Sequence, residues 1–470
     1  MFGTVEIPVW LFVLILLFAA VTAASHLFIP PVRWFLRRRM ERAVARLNER
    51  LERPIQPFKL ARRHDMILRL IYDPAVIEAV SEHASATGMR EDVAFSEAKR
   101  YAREIVPSFS ATAYFGFATR AARWVSTQLY DVRLTGGGED LARIPHDATV
   151  VFVMNHRSNM DYVLVTYLAA DRSALAYAVG EWARVRPVSW LLRAMGAYFI
   201  RRRSRNPLYR RVLARYVQLA VAGGVTQAIF PEGRLSVDGS VGAAKLGLLS
   251  YIAEGGRKGD RPVVFVPVAL SYDKVIEDRI LIEAAQSGER RYKGSFATGT
   301  AFVLRWLWRR LTGQARSFGI AGVAFGTPVP LSDFPLRNDA DIARLGQHLM
   351  AAIRRRVPLL PVPMLSEALL SGATTRQEAE ACFHSRREAL SGAGHDVLLV
   401  ADDPGRTIDA ALDMLALRRM ISVSPAGRIS VRDNARPLLE FYAESVTTAL
   451  NELDNPASRR DRNIITEKGA

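Results

Sequence analysis

From residue 131 to about residue 330, short apolar runs alternate with stretches of helical periodicity. Thr149-Val150-Val151-Phe152-Val153-Met154 is too short for a stable helix and is rich in β-branched residues, as a buried strand is. Residues 174–179, 197–200, 225–230, 263–270 and 320–325 read the same way. Between them, residues 161–170, 187–195, 208–222 and 245–253 carry apolar residues at helical spacing. Such alternation predicts an α/β fold, a sheet flanked by helices, with ligand sites beyond the carboxyl ends of the strands.

The flanks differ. Residues 41–130 read as helices, with Asp73-Pro74 as a break between two of them. After Pro328-Val329-Pro330 the pattern is mostly helical again, with a short hairpin near Pro425-Ala426-Gly427. Residues 358–364, Pro-Leu-Leu-Pro-Val-Pro-Met, read as a linker or rigid turn. The expected organisation is 1–40 as an anchor with a basic flank, 41–130 as a helical region, 131–335 as an α/β catalytic domain, and 336–470 as a mostly helical C-terminal region.

The anchor is expected from residues 9–29, which contain no Asp, Glu, Lys or Arg. At about 1.5 Å per residue, a helix of that length matches a hydrocarbon core of about 30 Å. Pro30-Pro31 close the run, and Arg33, Arg37, Arg38, Arg39, Arg42, Arg46 and Arg50 follow it. Positive charge after the run rather than before it is the reverse of a cleaved signal peptide. It predicts a single-pass membrane protein with its catalytic domain on the cytoplasmic face, the bacterial inner membrane for a bacterial protein. With 64 Lys and Arg against 47 Asp and Glu, the net charge is +17, which suits an anionic lipid, carrier or substrate. No nucleic-acid-binding motif accompanies that charge, so nucleic acid is not expected as a partner. A single cysteine, Cys382, excludes an internal disulfide.

The strongest chemical signal is Asn155-His156-Arg157-Ser158-Asn159-Met160-Asp161, where a strand passes into a helix. On one continuous helix His156 and Asp161 would lie about 140° apart. They meet only if His156 is in the loop and Asp161 in the first helical turn. Ser158 as N-cap with Asp161 three residues on, as in a capping box, gives that arrangement. The carboxylate would then fix the imidazole tautomer and leave the other nitrogen as a base. A plain helix cap beside a loop histidine would use the same residues.

Two further signals also follow strand candidates. Gly196-Ala197-Tyr198-Phe199-Ile200 runs into Arg201, Arg202 and Arg203, whose planar forks suit phosphate. Phe230-Pro231-Glu232-Gly233-Arg234 is a turn in which Gly233 permits close backbone approach, with Lys245 just ahead of the next helix. A fourth stretch, Val266-Pro267-Val268-Ala269-Leu270-Ser271-Tyr272-Asp273, is a strand with an internal proline, as at an edge or a bulge.

In this order the four blocks resemble the glycerol-phosphate acyltransferase superfamily, whose H-x4-D hallmark is met by His156 and Asp161. The form NHRSNMDY looks like the bacterial membrane-bound glycerol-3-phosphate 1-O-acyltransferases. The third block departs from the usual EGGRS or EGTRS, because Arg234 follows Gly233 directly. The resemblance implies a mixed sheet flanked by helices. It makes His156 the catalytic base and Asp161 its partner, and it places Arg201, Arg202, Glu232, Gly233 and Arg234 at the acceptor site. Lys245 is a further cation there, able to substitute for the shifted Arg234. It also implies transfer of a fatty acyl group from acyl-CoA or acyl carrier protein to the sn-1 hydroxyl of glycerol-3-phosphate, with no cofactor and no metal. Acylation of 1-acylglycerol-3-phosphate, or a non-catalytic membrane tether on the same fold, are the competing readings. Residues 301–311, a mixture of Trp, Phe and Arg, read as either an interfacial or an ordinary amphipathic helix.

Overall fold

The computed structural model describes residues 8–169, 173–180, 188–201, 204–287, 308, 312, 317–400 and 403–454. They fall into two units, residues 1–55 with 171–173, and residues 56–170 with 174–470. The Trp- and Arg-rich stretch at 301–311 lies outside the described residues, apart from Trp308.

The first unit is built on one 40-residue helix, α1 (Val9–Asn48), followed by a turn in which Ile55 N–H donates to Asn48 Oδ1 at 2.9 Å. Among the described residues no helix is long and apolar enough to cross a membrane. This overturns the expected transmembrane anchor, and with it the single-pass topology and the cytoplasmic-face placement. Pro30-Pro31 do not close the apolar run. The helix continues through them into the arginine-rich segment, so the run is one part of a longer element of mixed character.

The second unit opens with α2 (Pro57–Leu60), α3 (Arg63–Ile71), α4 (Pro74–Thr87), α5 (Glu91–Ile105), a π-helical turn at Thr112–Ala118, and α6 (Thr119–Leu129). The break at Asp73-Pro74 is a helix start. Asp73 accepts from Ala75 N–H at 3.1 Å, and Pro74 takes the first position, where its missing N–H is not needed.

Then the alternation begins: β1 (Asp131–Thr135), α7 (Gly138–Ala142), β2 (Thr149–Met154), α8 (Met160–Leu168), β3 (Ala176–Val179), α9 (Val188–Ala194), β4 (Tyr198–Phe199), α10 (Pro207–Ala222), β5 (Gln227–Ile229), α11 (Leu246–Lys258), β6 (Val263–Tyr272), α12 (Asp278–Gln286), β7 (Ile320–Phe325) and β8 (Val329–Pro330). The strands form one sheet in the order β1-β7-β6-β2-β5-β3-β4, with β8 also on β6. β7 and β8 run antiparallel to β6, and every other pairing is parallel, so the sheet is mixed, as expected.

All six β2 residues and all ten β6 residues are buried, because both faces of the sheet are covered. Alternate residues serve the two faces. Val150, Phe152 and Met154 join one core with α8 and C-terminal helices. Val151 and Val153 join the other, with α3 to α5, α10 and α11. Pro267 lies in this central β6 rather than at an edge. It sits where the antiparallel partner is interrupted between β7 and β8, and its carbonyl accepts from Gly326 N–H at 2.8 Å. The N–H it lacks thus falls at a gap in the ladder.

The C-terminal part comprises α13 (Asp339–Arg355), α14 (Pro361–Leu370), α15 (Arg376–Gly392), α16 (Pro404–Leu417), a hairpin of β9 (Ile421–Val423) and β10 (Ile429–Val431), and α17 (Arg436–Asp454). The stretch expected as a linker or rigid turn, residues 358–364, runs into α14 from Pro361 onward, a helix buried from Pro361 to Leu369. Its prolines 361 and 363 lie in the first turn, whose N–H groups have no partner within a helix anyway. Val362 N–H donates instead to Asp273 Oδ1 at 2.9 Å, which ties α14 to the end of β6.

Candidate active site

β2 is central and parallel to both neighbours, so the chain leaving it at Met154 emerges at the carboxyl edge of the sheet. Asn155 fixes that exit. Its side-chain amide bonds Leu270 of β6 twice, accepting from the N–H at 2.7 Å and donating to the carbonyl at 2.9 Å. It extends the ladder by one side-chain rung and sets His156 just beyond it.

His156 is 3 % exposed and Asp161 is fully buried. His156 Nδ1 lies 2.8 Å from Asp161 Oδ2. A carboxylate can only accept, so Nδ1 carries the proton and Nε2 presents its lone pair. The predicted loop-then-helix arrangement is present, with one change at the cap. Helix α8 has Asn159 as its N-cap, and Asp161 Oδ2 turns back to accept from Arg157 N–H at 2.8 Å and Ser158 N–H at 3.1 Å. Asp161 Oδ1 accepts from Tyr272 O–H at 2.7 Å. Burial, and then the neighbouring Asp161 carboxylate, push the Tyr272 phenol well above its ordinary range, so it remains a donor.

Glu232 is also buried, and Oε1 accepts from His156 N–H at 3.0 Å. In return Ser236 N–H donates to the His156 carbonyl at 2.8 Å. The turn after β5 therefore clamps the His156 backbone from both sides. Burial raises the Glu232 pKa, opposed by its backbone bonds to His156 and Gly242 and by the Arg157 charge. The N–H groups of His156, Arg157, Ser158 and Asn159 all donate to carboxylates, so none of these four is free to stabilise an oxyanion.

The His156 ring is packed between Phe230, with centroids 4.3 Å apart, and Tyr162 at 5.4 Å edge-on. Both aromatics line a cavity of about 450 Å³. Its wall is largely apolar, from Ile200, Leu213, Ile229, Leu248, Leu249 and Tyr251, with Arg201, Arg210 and Lys245 among the polar residues. Gly233 lines it with a φ of +66°, and a Cβ there would lie 3.2 Å from Lys245 Nζ. Glycine thus lets the turn approach the lysine.

The cations expected at the acceptor site divide. Arg201 lines the cavity, but its guanidinium is held in a two-point pair with Glu104, Nε to Oε1 at 2.9 Å and Nη2 to Oε2 at 2.6 Å, which raises its pKa. Lys245 also lines the cavity, while Arg234 is exposed and does not. Arg202 lies outside the described residues. The sequence reading missed Glu277, and it named Asn155 and Tyr272 only as members of their motifs, without the bonds by which they fix this loop. It also missed Arg210, one turn into α10. Arg157 was read only as part of the motif, yet it is 4 % exposed, and its Nε and Nη2 bond no described residue. Burial depresses its pKa, opposed chiefly by the charges of Glu232 and Asp161.

A base aligned by a buried carboxylate, beside an apolar cavity with cations in its wall, is suited to acyl transfer. A family model described as Acyltransferase matches residues 138–271, which span the His156 loop, the turn at Glu232 and most of β6. Together with the relatives below, this makes the chain similar to the glycerol-phosphate acyltransferase superfamily. Glycerol-3-phosphate acyltransferase of Ectopseudomonas mendocina is 27 % identical over 335 residues, covering 66 % of this chain and 39 % of that protein. The protein of that name from Pseudomonas fluorescens is 26 % identical over 339 residues, covering 67 % and 39 %. That from Aeromonas hydrophila is 27 % identical over 391 residues, covering 82 % and 46 %. The chain thus spans less than half the length of these relatives. Among solved structures, the 1-acyl-sn-glycerophosphate acyltransferase PlsC of Thermotoga maritima matches with 20 % identity and a TM-score of 0.32, covering 63 % of this chain and 98 % of that one.

Proposed function

We propose that the chain transfers a fatty acyl group from an acyl thioester, acyl-CoA or acylated carrier protein, to the sn-1 hydroxyl of glycerol-3-phosphate. The observation that carries this reading is the 2.8 Å His156–Asp161 contact, with the His156 ring packed on two aromatics of the cavity wall.

In this reading the acceptor hydroxyl attacks the thioester carbonyl while His156 Nε2 takes its proton. The new ester C–O bond forms, the C–S bond breaks, and the proton passes to the leaving thiolate. Asp161 holds the imidazole in the required tautomer and offsets the positive charge that forms on it. Lys245 and Arg210 hold the acceptor phosphate, the Arg201 guanidinium being engaged by Glu104, and the apolar wall takes the acyl chain. Glu232 acts by holding the His156 backbone rather than by touching the acceptor.

The test is acyl transfer by the purified chain from a long-chain acyl-CoA, with glycerol-3-phosphate and 1-acylglycerol-3-phosphate offered separately. The expected result is transfer to glycerol-3-phosphate that falls by at least about 100-fold in His156→Ala. Transfer to the lysophospholipid alone would reassign the acceptor, and no transfer from folded protein with either acceptor would refute the reading.

A further inference from the structure

Glu277 is the residue before α12, about a hundred positions from the His156 loop in sequence, and it is 7 % exposed. Its two oxygens hold that loop at separate points. Oε2 accepts from Ser158 O–H at 2.8 Å, and Oε1 accepts from the Asn159 side-chain amide at 3.0 Å and from Asn159 N–H at 3.3 Å. Ser158 and Asn159 lie between His156 and Asp161, and Asn159 is the N-cap of the helix that carries Asp161. Ser158 Oγ also accepts from Met160 N–H at 3.1 Å. Pinning these two residues sets where α8 begins and how the Asp161 carboxylate turns back on His156.

Among the described residues no basic side chain is bonded to Glu277; a buried carboxylate of that kind is costly to keep, and an apolar residue would pack there at lower cost. What Glu277 supplies is two acceptor oxygens for three donors, which an amide cannot match.

The next residue, Asp278, is 5 % exposed and faces the other way. It accepts from Arg418, which follows α16, and from the Tyr442 hydroxyl on α17. Tyr442 Oη in turn accepts from Val275 N–H at 2.9 Å, and Arg279 Nη2 donates to the Arg418 carbonyl at 2.9 Å. Two consecutive carboxylates therefore face in opposite directions, one into the His156 loop and one into the C-terminal helices.

Resting on the acyl-transfer reading above, we infer that Glu277 is a positioning residue for the His156–Asp161 pair, held in place through Asp278 by α16 and α17. The C-terminal region is on this account a working part of the active site. Displacing a catalytic pair by about 1 Å costs up to about 100-fold in rate without weakening ground-state binding.

The experiment measures kcat and KM separately, with a long-chain acyl-CoA and glycerol-3-phosphate, on the full chain. Glu277→Ala is expected to lower kcat about 10- to 100-fold with KM for glycerol-3-phosphate changed less than about twofold. Glu277→Gln, which keeps one acceptor oxygen for the Asn159 donors but loses the acceptor for Ser158 O–H, should recover only part of that loss. Tyr442→Phe should lower kcat about 3-fold or more, again with KM unchanged. Wild-type kcat in Glu277→Ala, or loss of activity only in proportion to loss of folded protein, would overturn the assignment. Unchanged kcat in Tyr442→Phe would overturn the C-terminal part of it. Should Glu277→Ala not fold, a cycle of Glu277→Gln with Ser158→Ala decides. Strong non-additivity in kcat supports the coupling, and additivity refutes it. A wild-type chain with no transfer would instead refute the acyl-transfer reading, an outcome separate from these.

Discussion

Tyr272 donates its hydroxyl to Asp161 Oδ1 at 2.7 Å, while His156 Nδ1 and two backbone N–H groups bond Oδ2. The carboxylate is thus fixed in rotation as well as position. Tyr272→Phe deletes one donor to a fully buried anion, at a cost of about 1.5–3 kcal/mol in stability. Turnover is expected to fall roughly tenfold with little change in acceptor KM. Urea denaturation together with steady-state kinetics checks both. Wild-type turnover in this variant would show that Oδ1 needs no partner.

The cations around the cavity are expected to separate by their partners. Lys245→Ala and Arg210→Ala should each raise KM for glycerol-3-phosphate about three- to tenfold, as loss of one charged contact does. Arg234→Ala, on an exposed side chain outside the cavity wall, should leave KM within about twofold. Arg201→Ala should act mainly on stability, by up to about 1 kcal/mol, because its guanidinium is partly exposed and bound to Glu104. A larger KM effect from Arg234 than from Lys245 would put the phosphate elsewhere.

Asp273 gives stability a pH dependence of definite sign. Its carboxyl accepts from Ile320 N–H at 2.8 Å and from Val362 N–H, and burial raises its pKa to about 7. The surrounding charges are Arg418, which opposes that rise, and Asp131, which adds to it. A carboxyl with a folded pKa above its unfolded value near 3.8 binds more protons when folded. Its contribution is therefore full below about pH 4 and is lost as pH rises toward 7, by roughly 4 kcal/mol at most. Asp273→Asn should flatten that slope between pH 5 and pH 8 in urea denaturation. An unchanged slope would assign it to other groups.

Gly239 tests the packing of the C-terminal helix on the loop after β5. Its φ is +84°, and a Cβ there would lie 1.9 Å from the Phe441 carbonyl oxygen of α17. Gly239→Ala combines that overlap with a left-handed backbone, so a loss of roughly 3–5 kcal/mol is expected. Denaturant unfolding that shows a loss under about 1 kcal/mol would mean the loop and α17 are less closely apposed.

Local pattern was enough to locate much of this protein. Apolar runs of strand length, separated by helical periodicity, placed β2, β6, β7 and most of the intervening helices, because alternation and length are written into the chain itself. The His156–Asp161 pair was legible for the same reason. Both residues lie within one strand-to-helix turn, and the geometry that joins them is local.

Elements whose meaning depends on neighbours were not legible. Residues 358–364 look like a linker or rigid turn until Asp273 accepts from Val362 and the surrounding core makes residues 361–364 the first turn of a helix. Pro267 looks like an edge until β7 and β8 leave a gap beside it. Arg201 looks like a phosphate ligand until Glu104, from a helix of the lead-in, closes on it. The apolar run near the N-terminus looks bounded by prolines until the helix continues through them. Tyr272 and Glu277 lie over a hundred residues from the loop they hold, and no spacing rule links them to it. Sequence by itself determined which segments become strands and helices and where a base could meet its carboxylate, since those depend on side-chain period and turn chemistry. Only the tertiary structure decided what each polar group bonds to, because a buried donor or acceptor is satisfied by whatever the fold brings within about 3 Å, however distant in the chain.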